Sequence, residues 1–158
     1  MTMSAKMNRV LVGGLAGGAA EVLVVALYAL LAGAGGWVVA EGVSRATFGT
    51  LFSGGDAVLV GLAVHFGLSF LIAACFVALL PVLMHRIGRQ GVVLAAAAAL
   101  VAVWALNFFV VLPRIAPEFV AMVPLWLSFL SKLAFGLVMG LALVSPSRIS
   151  EWRRRTPA

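Results

Sequence analysis

The chain has 158 residues, of which 64% are hydrophobic and 10% charged, against roughly 45–50% apolar residues in ordinary globular proteins even with glycine counted. So few charged groups cannot clothe a water-soluble domain, and so much apolar surface excludes a disordered polymer. The net charge of +6 does not point to nucleic acid, because the cations are spread over tails and connections with no basic helix face among them.

Four apolar stretches, 10–33, 57–83, 92–112 and 120–144, each reach the roughly 20 residues needed to cross 30 Å of hydrocarbon. They contain only two of the 16 charged residues, Glu21 and Lys132. The predicted fold class is therefore all-α: one integral membrane domain over 1–158, built as an antiparallel bundle of four transmembrane helices. Lys6 and Arg9 before the first stretch, with Leu31, Ala32, Gly33 and Ala34 after it, resemble a secretory signal. The apolar run is longer than a signal's 7–15 residues, so an uncleaved anchor with an intact Met1 is expected.

Between the first two stretches, residues 37–52 predict a short helix along the outer membrane surface. Val39, Val43, Ala46 and Leu51 form its apolar stripe, Glu41 and Arg45 pair at i, i+4, and Trp37 sits at headgroup level. Asp56 is the expected N-cap of the second span. Cys75, the only cysteine, reads as a small buried hydrophobe. Residues 84–90 form a short connection that makes spans two and three antiparallel neighbours, and residues 113–118 do the same for spans three and four. Pro124 is expected in the first turns of span four. The tail 146–158, with Trp152 before Arg153, Arg154 and Arg155, reads as an anchor on an anionic leaflet.

Orientation follows from the cations. Lys6, Arg9, Arg86, Arg89, Arg148, Arg153, Arg154 and Arg155 lie on one side, Arg45 and Arg114 on the other. The positive-inside rule then places both termini in the cytoplasm of a bacterial inner membrane.

Two features suggest how the spans meet. Gly13 with Gly17, and Gly14 with Gly18, form overlapping GxxxG patterns, and Gly136 with Gly140 repeats the theme in span four. These serve packing within the bundle or contact with a second copy. An ionisable group in lipid needs a partner and an inward direction. Glu21 lies about 16 Å into span one from the inner side, and Lys132 about 18 Å into span four from the outer side. Opposite charges at one depth predict a pair. His65, about 12 Å into span two, joins them in a buried polar cluster, with Ser69, Ser128 and Ser131 as candidate hydrogen-bond partners. Asn107, nearer the outer side of span three, is expected to contact another helix or water.

This cluster admits two readings: a structural ion pair that sets helix register, or a proton-handling site. Transport predicts an aqueous path to Glu21, and a structural role predicts a dry centre. Bis-histidine haem ligation fails within one chain, since His65 and His85 lie about 30 Å apart along the same helix. Hydrolase, nucleotide and metal motifs are absent from the sequence, so no catalytic residue, cofactor or metal is expected. The first expectation is thus a non-enzymatic structural or accessory protein of the inner membrane, with lipid and either a second copy or a membrane complex as partners. The second is a proton-coupled small-molecule transporter using Glu21 and His65.

The segments His65-Phe66-Gly67-Leu68-Ser69 and Leu130-Ser131-Lys132-Leu133-Ala134-Phe135-Gly136, after the glycine-rich Gly13-Gly14-Leu15-Ala16-Gly17, resemble small bacterial inner-membrane proteins of the YagU-like type. That resemblance implies a four-helix membrane protein and supplies no activity. A histidine often stands in that family where Lys132 stands here. Locally, Ala20-Glu21-Val22 is similar to the membrane carboxylate segment of small multidrug-resistance exporters, from which the long outer segment and Lys132 depart.

Overall fold

The structure, a computed structural model, describes residues 3–33 and 35–145. The expected tail anchor, with Arg148 and Trp152 to Arg155, lies outside the described residues. Every regular element described is a helix: α1 (Met3–Leu31), α2 (Val38–Phe48), α3 (Gly54–Leu106), a π-helical turn (Asn107–Val111), α4 (Leu112–Ile115), α5 (Pro117–Met122) and α6 (Leu125–Leu143). Three helical segments, Met3–Leu31, Gly54–Ile115 and Leu125–Leu143, are long and apolar enough to cross a membrane. A helix suits an apolar medium because each segment satisfies its own backbone hydrogen bonds.

The expected connection at 84–90 is helical apart from one residue. Gly88, at φ 66 and ψ −171, breaks α3 into arms 54–87 and 89–106. That backbone conformation is essentially open to glycine alone, whereas the flanking Arg86, Arg89 and Gln90 are good helix formers. The arms run antiparallel, as their contacts demonstrate. Methyl groups placed on Gly14 and Gly18 of α1 would meet Phe70 and Phe66 of the first arm. Methyl groups on Gly136 and Gly140 of α6 would meet Ala97 and Val93 of the second. Gly13 and Gly17 face Leu143 and Phe135 of α6, so α1 and α6 are antiparallel too. All six glycines are buried; side chains fill the notches on α1, and the backbone of the second arm lies against those on α6.

α6 lies between the two arms. Its Phe135, Met139 and Leu143 join Ala73, Phe76, Val77 and Leu80 of the first arm and Val92, Ala96 and Leu100 of the second in one buried core. Large apolar side chains such as Leu23, Leu59, Leu71, Leu94 and Leu141 point outward, the pattern of a surface solvated by lipid. Cys75 is exposed and belongs to this outward set, contrary to the expectation of burial. Its i−2 and i+1 neighbours, Ala73 and Phe76, take the core-facing positions.

Helix boundaries correct other expectations. Ser53, in extended backbone, precedes α3, and Asp56 falls in the first turn, where its charge favours the helix N-terminus without capping it. Pro124 stands just before α6, and Val123 is extended at φ −102, ψ 119. Proline disfavours helical backbone at the residue before it, so 117–144 divides into α5 and α6. The π turn has a related cause. Pro113 cannot donate a hydrogen bond, and its ring crowds the carbonyl four residues earlier. The chain widens just upstream, and the Leu112 N–H reaches back five residues to the Asn107 carbonyl.

A Cβ on Gly136 would lie 2.6 Å from the Ala97 Cα and 2.8 Å from the Ala96 carbonyl oxygen. Backbone atoms cannot swing aside, so Gly136→Ala is expected to cost about 1–3 kcal/mol, read from unfolding in mild detergent. Gly67→Ala, whose Cβ meets nothing within 4 Å, is the control expected to show no loss.

Candidate functional site

The glycine face of α1 brings its backbone against α3 and α6 at the level where Glu21 and Lys132 sit. Gly17 accommodates Phe135, and Gly18 accommodates Phe66 and Ser69. Side chains one turn further along α1 can then reach across to α6. The Lys132 Nζ lies 2.5 Å from Glu21 Oε1 and donates to Oε2 at 2.7 Å, and the ammonium also stands 5.9 Å from the centroid of the Phe135 ring. The side chains are 20% exposed for Lys132 and 13% for Glu21. This geometry compensates two charges that would each be costly alone in an apolar medium.

His65 is close by but is held differently. Its Nε2 donates to the Gly18 carbonyl at 3.1 Å, which requires a proton on that nitrogen. The hydrogen bond ties α3 to α1 three residues before Glu21, while the ring meets Phe66 edge-on at 5.2 Å between centroids. His65 makes no hydrogen bond to Glu21 or Lys132 among the described contacts.

The serines do not bond the ion pair either. Ser69 Oγ donates to the His65 carbonyl at 2.8 Å, Ser128 Oγ to the Leu125 carbonyl at 2.8 Å, and Ser131 Oγ to the Ser128 carbonyl at 3.0 Å. A hydroxyl on a helix in apolar surroundings has its own preceding turn within reach. Ser128 also accepts from Trp104 Nε1 at 2.9 Å, joining α6 to the second arm of α3. Trp104 packs edge-on against Phe129 at 5.2 Å between ring centroids. Sequence spacing gave no sign of that contact.

Above the ion pair lies a cavity of about 330 Å³. Its polar lining comes from Glu21, His65, Asn107 and Lys132, with Ser128 and Ser131 at the α6 side. Val22, Val25, Leu62, Phe108 and Phe119 supply apolar wall. Its roof is α2, where Val39, Val43 and Ala46 line the cavity, so these residues of the predicted stripe turn inward. Leu51 lies beyond the helix end and is exposed. Trp37 occupies the N-cap position and is exposed. No ion pair joins Glu41 and Arg45 among the described contacts.

Close backbone contact holds the roof. A Cβ on Gly61 would overlap the Ala40 carbonyl oxygen, and one on Gly42 would lie 2.5 Å from the Met122 Cε and 3.0 Å from Phe119. Thus α2 is seated on α3 by one glycine and against α5 by another. The small residues at 42 and 61 were the available signal for this packing, but their partners are far away in sequence.

Among the described residues, no group of three His, Cys, Asp or Glu side chains could hold a metal ion. The site offers a charge-compensated polar patch inside an apolar chamber, an arrangement suited to binding and to proton exchange. No protein-family model, curated protein or solved structure matches the chain.

Two substitutions test this geometry. Lys132→Met is expected to strand a carboxylate and lower stability in detergent by about 3 kcal/mol, with much of the loss recovered when Glu21→Gln is added. A normally inserted Lys132→Met protein of unchanged thermal stability would contradict that role. Gly61→Ala is expected to lift the roof, read as faster backbone hydrogen exchange over 38–48 with little change over α6.

Proposed function

We propose that the protein is a four-span integral protein of the bacterial inner membrane, with both termini in the cytoplasm, and that it is a proton-coupled small-molecule transporter. On this reading α1, the two arms of α3 and α6 are the spans, and α2 is an interfacial helix roofing the site from the outer side. The observation carrying the proposal is the chamber that reaches Glu21, His65 and Lys132. It favours transport over the accessory role, for which a close-packed centre is expected.

The chemistry follows from the ion pair. While Glu21 is ionised, Lys132 is held to it and the three helices around them stay together. A proton taken up by the Glu21 carboxylate removes its negative charge and weakens its hold on the ammonium. The helices can then separate, and loss of the proton restores the pair. His65 lines the same chamber, and in this scheme its ring nitrogen opposite Nε2 is the second place where a proton is held. No bond to a substrate is made or broken in this scheme, so the protein is not an enzyme.

Accessibility tests the proposal whatever the substrate. In a Cys75→Ser background, Val25→Cys places a thiol in the chamber wall. An impermeant maleimide is expected to label it from the outer side of right-side-out vesicles, and adding Glu21→Gln is expected to change the labelling rate several-fold. A thiol unlabelled from either side, in both backgrounds, would return the protein to the structural reading.

A further inference from the structure

We infer that the chamber takes an uncharged amphiphile, a short apolar body ending in a hydroxyl, carbonyl or amide group, and that Asn107 anchors its head. This inference rests on the proposed small-molecule site and specifies the ligand's chemistry. The hydroxyl hydrogens of Ser128 and Ser131 go to their own helix, and the Nε2 proton of His65 goes to Gly18. Glu21 and Lys132 satisfy each other's charge. Asn107 lines the chamber, yet its amide makes no hydrogen bond to a described residue. Among the described residues no buried side-chain nitrogen or oxygen lacks a partner, so the Asn107 amide is open to the chamber rather than sealed in protein. It offers both donors and an acceptor.

The backbone supplies an independent observation. Asn107 is the first residue of the π turn, and its carbonyl accepts the five-residue bond from Leu112. Such turns within helices are rare and frequently mark functional sites. The turn presents Asn107 and Phe108 together to the chamber, pairing a polar amide with an apolar ring. A head and a body would meet those two surfaces in that order.

Charge selects against ionised ligands. While Glu21 is ionised the pair is neutral as a unit, so in that state an ammonium or carboxylate head would add an uncompensated charge or break the existing contact. A neutral head needs neither, and the Val22, Val25, Val39 and Val43 surfaces accept its chain. A chamber of about 330 Å³ lies near the lower end of ordinary small-molecule sites, which favours a short body over a diacyl lipid.

The test uses protection of the Val25→Cys thiol, in the Cys75→Ser background, by three probes of one length: octanamide, octylammonium and octanoate at pH 7. Octanamide is expected to slow maleimide labelling at concentrations about tenfold below those needed for either charged probe. Asn107→Leu is expected to raise its half-protecting concentration by about tenfold, and Asn107→Gln, which keeps the amide, by less. Equal or better protection by a charged probe overturns the inference. So does protection by octanamide that survives Asn107→Leu, or the absence of protection by any probe when the thiol is labelled. In those cases the accessible chamber still stands. A thiol that no reagent labels overturns both the chamber's accessibility and the inference.

Discussion

A carboxylate and an ammonium placed in an apolar medium must find each other, and this constraint organises the protein. Glu21 and Lys132 are 111 residues apart in the chain, and their contact requires α1 and α6 to approach closely and in register. Gly13 and Gly17 permit that approach by leaving room for Leu143 and Phe135. The pair and the glycine seam are therefore complementary. The seam lets the charges meet, and the cost of separating the charges favours the register in which the seam closes.

The same level of the bundle is where close packing ends. Toward Gly88, α6 is enclosed by Phe76, Leu80, Val92 and Leu100 in a continuous core. Toward α2, the helices leave space, and the ion pair forms part of the boundary between the two regimes. A structural salt bridge could lie wholly inside the packed half. Here it borders the chamber, so the contact that holds the helices together also forms part of the chamber wall. On the proposed reading, stability and transport meet in this one contact.

The roof depends on a different kind of approach. Gly61 allows the Ala40 carbonyl to reach the α3 backbone, and Gly42 admits Met122 and Phe119. These are contacts of shape, without an ion pair to reinforce them. The roof is thus held by close packing alone, whereas the floor combines close packing with the ion pair.

The sequence alone determined the class of solvent, the helical character of the chain and the identity of the charges needing partners, because hydrophobic run length and the cost of an isolated charge are local properties. The glycine spacing in α1 and α6 was legible for the same reason. Equal depth from opposite ends was enough to suggest the contact of Glu21 with Lys132. It could not show that Ser69, Ser128 and Ser131 bond their own helices, since a backbone carbonyl and a distant carboxylate compete on terms that spacing does not express. Only the tertiary structure decided that α2 turns its apolar face onto a chamber, that Gly88 replaces a loop, and that Asn107 opens into the site. Each depends on which surfaces are left over once the helices have packed, and that remainder is a property of the whole assembly rather than of any segment.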